Sequence, residues 1–244
     1  MKATVFEFRF RVWIIVSLYC LGFYAPWTRF GDVAPDTTAW LALSTTLARW
    51  NWLPLDQVTL LVTSLAIFFG VAGAALRFWG TAYLGASIVH SGAIHADRVM
   101  AAGPYRHLRN PLYFGSMLFA LSVSILMPPS GAVFFLVAIA VFYFRLILSE
   151  EDFLARQIGA PYQEYRRRVP RVLPSPRPRV PAPTVRPQWL QAFPGEILPI
   201  GYALCLAALA WRYEPRLLEQ CLLVCFGLSL VGRALLPKPD PVEA

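Results

Sequence analysis

Charge is what this chain has least of: Asp, Glu, Lys and Arg make up 15% of its 244 residues, against 57% hydrophobic residues and a mean hydropathy of +0.51. Soluble domains carry nearer ~25% charged residues, so ordinary soluble classes are excluded and the chain reads as a membrane protein. Acids are scarcest, 14 against 22 Lys and Arg. The resulting net charge of +8 is accounted for by loops on one membrane face and by anionic lipid, so no nucleic-acid partner is expected. Cysteine is limited to Cys20, Cys205, Cys221 and Cys225, all in apolar segments. Cys221 and Cys225 share a helix face, but no His or further Cys stands near them to complete a metal site, so core packing and no metal are expected. The first apolar segment lacks a small-residue cleavage site behind a short core, and it reads as a retained helix.

What is present in quantity is apolar sequence cut into spanning lengths. A bilayer core takes ~20 helical residues, and six stretches come close to that, at about 10–26, 56–79, 112–127, 131–149, 195–211 and 216–235. The expected fold is an all-α, polytopic transmembrane helical bundle of about six spans with a cytoplasmic motif-bearing segment. Lys and Arg concentrate in Arg77–Asn110 and Glu150–Gln191 and are absent from Pro128–Gly131. The positive-inside rule therefore puts the first two regions and both termini in the cytoplasm, with a bacterial inner membrane as the expected location. Four regions follow: 1–55, a first span with an outer loop; 56–174, a core; 175–194, a Pro- and Arg-rich linker; and 195–244, a C-terminal hairpin and tail that would pad the bundle. In the outer loop, Trp40, Trp50 and Trp52 suit a membrane interface. In span two, Gly70, Gly73, Ala74 and Ala75 offer a surface for close helix packing.

The polar residues that remain gather in two places. Gly103-Pro104-Tyr105-Arg106-His107-Leu108-Arg109-Asn110-Pro111-Leu112-Tyr113-Phe114-Gly115 opens one apolar helix, and Glu150-Glu151 closes the next, so the hairpin between them brings both to one membrane surface. Asn110-Pro111 has the form of a helix start, with Asn free to accept first-turn N–H groups and Pro suited to the first position. Arg145 lies within the returning helix, where an ionisable group must snorkel or face a polar cavity. If that helix stops near Ser149, the acids Glu150, Glu151 and Asp152 sit at the unfavourable end of its dipole and need a compensating cation. If it continues to Ile158 before Gly159, Asp152 and Arg156 pair one turn apart. The stretch from Ala160 to Val169 reads as a short basic amphipathic helix on the membrane surface. His90 and His95, in the loop before the motif, read as solvated.

Gly-Pro-Tyr, Arg-Asn-Pro-Leu-Tyr-Phe-Gly, a hairpin, Glu-Glu-x-x-Leu, Gly-x-x-Tyr-x-x-Tyr and Val-Pro-Arg, in that order, resemble the membrane-embedded methyltransferases of the isoprenylcysteine carboxyl methyltransferase and phospholipid methyltransferase group, over about residues 60–174. That group more often has His where Asn110 stands; Asn donates and accepts but cannot titrate. The resemblance implies S-adenosylmethionine held between the start of one helix and the end of the next. Its pocket would be lined by Tyr105, Arg109, Asn110, Pro111 and Tyr113, closed by Glu150 and Glu151, and covered by Tyr162 and Tyr165. Arg145 and Glu150 are the expected catalytic residues.

Such residues suit the cofactor: carboxylates for an ammonium and a ribose diol, Arg109 for a carboxylate, aromatic rings for adenine and sulfonium. A soluble methyltransferase would carry a Gly-rich strand-to-helix loop, and none is present. The expected acceptor is a membrane lipid or lipid-modified molecule entering from the bilayer. Two other readings compete. A sterol-type reductase would use NADPH, but such enzymes often place an acid where this chain has Ser116. A non-catalytic scaffold or transporter would bind no cofactor.

Overall fold

The structure, a computed structural model, describes residues 2–24, 37–50, 53–84, 99, 101–181 and 185–234. Trp27, Trp52, His90, His95 and Asp97 lie outside the described residues. Helices α1 (Val5–Arg9), α2 (Arg11–Tyr24), α3 (Ala39–Ala48) and α4 (Leu55–Leu84) are followed by a 3-10 turn at Gly103–Arg106. Then come α5 (Pro111–Ser124), α6 (Pro129–Ile158), α7 (Ala160–Arg168) and α8 (Trp189–Ala192), a second 3-10 turn at Phe193–Glu196, and α9 (Ile197–Leu209) and α10 (Pro215–Ala234). No strand occurs among the described residues.

Four helical segments among the described residues are long and apolar enough to cross a membrane: Leu55–Leu84, Pro129–Ile158, Trp189–Arg212 and Pro215–Gly232. The other two expected spans, α2 and α5, are helical but only 14 residues each. At 1.5 Å per residue they reach ~21 Å, short of a ~30 Å hydrocarbon core.

The bundle is assembled around the crossing of α4 and α5, which glycine makes close. A Cβ on Gly73 would stand 2.7 Å from the Gly115 carbonyl oxygen, and one on Gly70 2.8 Å from Ser122 Oγ. Ser122 uses the same approach to donate to the Ala66 carbonyl at 2.8 Å. The small-residue surface thus packs as expected through Gly70, Gly73 and Ala74, whereas Ala75 is exposed. α4 also runs on to Leu84 instead of ending near Arg77–Gly80, so Arg77 belongs to the helix and points inward.

Two other expectations give way to packing. Trp40 is 4% exposed, with its indole N–H donating to Thr63 Oγ1 at 3.1 Å, so it is core and not interface, while Trp50 is exposed. The reversal before α6 is tighter than expected, because Pro129, Ser130 and Gly131 already form its first turn. α6 itself continues through Glu150 and Glu151 to Ile158, stops at Gly159 (φ 72°), and carries the Asp152–Arg156 pair at 2.7 Å. The acids therefore sit more than a turn before the helix end, where the end of the dipole no longer acts on them.

Residues 170–181 carry no regular structure but do not hang free as a linker would. Arg109 N–H donates to the Pro170 carbonyl and Ser175 N–H to the His107 carbonyl, each at 2.9 Å. Arg179 N–H donates to the Arg106 carbonyl, also at 2.9 Å. Arg106 Nε returns a bond to the Val180 carbonyl at 3.0 Å. The segment is a strap across the motif, because backbone groups on both sides need partners where water is partly excluded.

Candidate functional site

A cavity of about 790 Å³ opens where the start of α5 meets the last turns of α6. One face of α6 lines it through Tyr143, Leu146, Glu150, Leu154 and Ile158, spaced by three or four residues as one helix stripe requires. Every residue expected in the cofactor pocket reaches the wall: Tyr105, Arg109, Asn110, Pro111, Tyr113, Glu150, Glu151, Tyr162 and Tyr165.

Within that set the two acids differ in surroundings. Glu151 is 3% exposed and accepts from Arg109 Nη1 at 3.1 Å, Arg171 Nε at 3.0 Å and Asn110 Nδ2 at 3.1 Å, with Arg166 at 3.9 Å. Asn110 spends its amide here and on the Arg171 carbonyl at 3.0 Å. It consequently makes no side-chain cap on α5, although Pro111 holds the first helical position as expected. Glu150 also lines the cavity, close to the Tyr113 hydroxyl and with the Arg11 guanidinium as its charged neighbour.

The roof is α7. Tyr162 and Tyr165 are buried with Val169 against Val99, Ala101, Leu154 and Ile158, so this basic helix turns an aromatic face inward and its Arg166, Arg167 and Arg168 outward. Tyr165 Oη donates to the Tyr105 carbonyl at 2.8 Å, tying roof to floor. Burial pushes the Tyr162 hydroxyl up to about 12, and drives Tyr105 and Tyr165 higher, so all three stay neutral donors. Burial also draws the Arg109 guanidinium below its usual value, against the pull of Glu151. Tyr105 Oη and Arg109 Nε are buried and have no hydrogen-bond partner, and both residues are on the cavity lining.

Arg145 is elsewhere. It is absent from the lining and pairs with Glu7 of α1 through Nε at 3.1 Å and Nη2 at 2.7 Å. Five residues of α-helix turn ~500°, so Arg145 and Glu150 point ~140° apart and cannot serve one cavity.

Arg77, Ser116 and Glu196 were not singled out as site residues from sequence. Arg77 and Ser116 line the cavity, and Arg77 Nη1 donates to Ser116 Oγ at 2.6 Å. The cavity also runs along Ile15, Tyr19 and Phe23 of α2 and Leu222, Leu223 and Phe226 of α10, with Arg11 and Glu219 as the charged residues of those two walls. Among the described residues no group of His, Cys, Asp and Glu could hold a metal ion.

Residues 59–160 match the family model described as phospholipid methyltransferase. Two plant proteins named probable protein-S-isoprenylcysteine O-methyltransferase, from Oryza sativa subsp. indica and Oryza sativa subsp. japonica, are each 27% identical over 117 residues. That stretch is 46% of this chain, and the chain spans 61% of the length of these curated relatives. No solved structure matches it. Residues 59–160, which carry the α4–α5 crossing and both acids, are thus similar to the group that joins the phospholipid methyltransferases and the isoprenylcysteine carboxyl methyltransferases.

Proposed function

We propose that this protein is an integral membrane methyltransferase that uses S-adenosylmethionine to methylate a lipid or lipid-modified acceptor, with its site facing the cytoplasm. The observation that carries the reading is the convergence of Glu150, Tyr113, Tyr105 and Arg109 on one cavity, with two buried donors left unpartnered there.

The residues fit the cofactor on chemical grounds. Glu150, on the cavity lining, would take the ammonium or the ribose hydroxyls. Arg109, with Nε free, would take the carboxylate. Tyr105, Tyr113 and Tyr162 offer ring faces and neutral hydroxyls to the adenine and the sulfonium. When bound, S-adenosylmethionine supplies an electrophilic methyl group on a sulfonium centre.

The protein's part is placement and dryness. The roof tie from Tyr165 to Tyr105 closes the cavity toward the polar side. The α2 and α10 walls give an aliphatic chain a path in from the bilayer, so that the acceptor head can be held in line. Excluding water protects the transfer from hydrolysis and strengthens the charge contacts. A carboxylate acceptor already carries its lone pair and needs no base. Asn110, which cannot titrate, is compatible with that.

The test is calorimetric titration of the detergent-purified protein with S-adenosylmethionine and, separately, NADPH. Binding of S-adenosylmethionine, weakened at least ~10-fold by Glu150→Gln, is expected. Binding of NADPH alone would overturn the proposal in favour of a reductase, and binding of neither in favour of a scaffold or transporter.

A further inference from the structure

α9 and α10 lie beyond the family-matched residues 59–160, and their apolar sequence reads as padding. The structure gives them a buried acid with a partner across the bundle. Glu196 is 0% exposed and sits on the 3-10 turn Phe193–Glu196. Arg77 grips it with Nε to Oε2 at 2.8 Å and Nη2 to Oε1 at 2.9 Å, and Thr81 Oγ1 adds a donor to Oε1 at 2.7 Å. The turn is itself fixed from both sides. Gln188 N–H donates to the Ala82 carbonyl at 2.7 Å, and a Cβ on Gly232 of α10 would meet the Pro194 carbonyl oxygen at 3.1 Å.

Burying an ion pair brings little net stability, since well-packed apolar residues serve as well or better. A hairpin that only filled space would therefore have no use for Glu196. An ionisable pair at membrane depth reads first as part of a site. Arg77 lines the cavity, and its remaining fork reaches Ser116. A two-point grip by one carboxylate fixes the plane of a guanidinium, which a single contact cannot do.

We propose that Glu196 is a positioning residue that holds the Arg77 guanidinium in one orientation at the cavity wall, so that the C-terminal hairpin completes the site begun by the family core. This rests on the methyltransferase reading only for its effect on the acceptor. The grip itself is independent of any ligand.

The test uses the full chain in detergent with Glu196→Gln and Glu196→Asp. Phenylglyoxal reacts with guanidinium groups that are not tied up. Its modification of Arg77, followed by peptide mass spectrometry without cofactor, is expected to be ~10-fold faster in Glu196→Gln than in wild type and intermediate in Glu196→Asp. Thr81→Val, which removes one donor and no charge, keeps the test open if both variants fail to fold, and is expected to raise Arg77 reactivity less. In methyl transfer to an S-farnesylated cysteine carboxylate and to phosphatidylethanolamine vesicles, Glu196→Gln is expected to raise acceptor KM at least ~5-fold while S-adenosylmethionine affinity stays within ~2-fold. Arg77 reactivity equal in wild type and all folded variants would overturn the proposal. So would a fall in melting temperature with acceptor KM unchanged, which would leave Glu196 a structural residue alone. Faster Arg77 modification in a protein whose wild type methylates neither probe would uphold the grip and overturn the enzyme reading.

Discussion

Glu151 is clasped by Arg109, Arg171 and Asn110, while Glu150, one residue earlier and ~100° round the same helix, faces the cavity beside Tyr113, with Arg11 as its charged neighbour. The difference separates two jobs that a Glu-Glu pair in sequence cannot separate. Glu151 joins three segments, the turn before α5, the end of α6 and the strap at Arg171, so its charge is consumed by the fold. Glu150 keeps its carboxyl group on the cavity wall for whatever enters.

Breaking Glu151 should therefore have the largest effect on the fold. Glu151→Ala leaves Arg109 facing Arg171 with no anion between them and Asn110 without one of its acceptors. The cost should be about 3 kcal/mol, seen as a lowered melting temperature in detergent and as protease cuts appearing in 170–181. Glu150→Gln is the converse. Its melting temperature should stay within the equivalent of ~0.5 kcal/mol of wild type, while S-adenosylmethionine affinity falls at least ~10-fold, or ~1.4 kcal/mol. Were the two variants to lose stability and affinity in equal measure, the division between fold and ligand would be wrong. Tyr165→Phe tests the roof between them. It removes one hydroxyl donor to the Tyr105 carbonyl, worth about 1 kcal/mol, and should speed hydrogen exchange in α7 more than it lowers global stability.

The same comparison explains what was legible in the sequence. The motif and the acids stand out because polar residues in a sequence this apolar are few, and the Pro128–Gly131 reversal returns α6 beside α5. The α4 glycines were readable as a packing face for the same reason. The partner of a charge was not readable. Arg77 and Glu196 lie 119 residues apart, and nothing local says which of several apolar helices will turn an acid inward. Asn110 has the form of an N-cap, but its Nδ2 donates to two tertiary acceptors, and in that orientation its Oδ1 caps no first-turn N–H. The proline-rich composition of 170–181 fits an extended segment and is silent on the backbone bonds that strap it to Arg106, His107 and Arg109.

Arg145 is the case in which helix period alone was enough to redirect a residue, and its prediction has the smallest effect. Its partner Glu7 is partly exposed, as is Arg145 itself, so the pair adds little to stability. The Arg145 hydrogen bonds, helped by the Thr4 backbone N–H, hold the Glu7 carboxyl down at about 2. A carboxyl with a depressed value stabilises the docked state fully above its ordinary range near ~4.3, and that contribution disappears as pH falls through about 2. α1 should accordingly stay docked on α6 at neutral pH and loosen progressively on acidification below pH ~4, as read by hydrogen exchange over residues 4–9. Arg145→Ala should loosen the same residues at neutral pH, flatten the pH dependence and leave S-adenosylmethionine affinity at the wild-type value. A loss of affinity in that variant would return Arg145 to the site and place Glu7, not Glu150, as the acid it answers to.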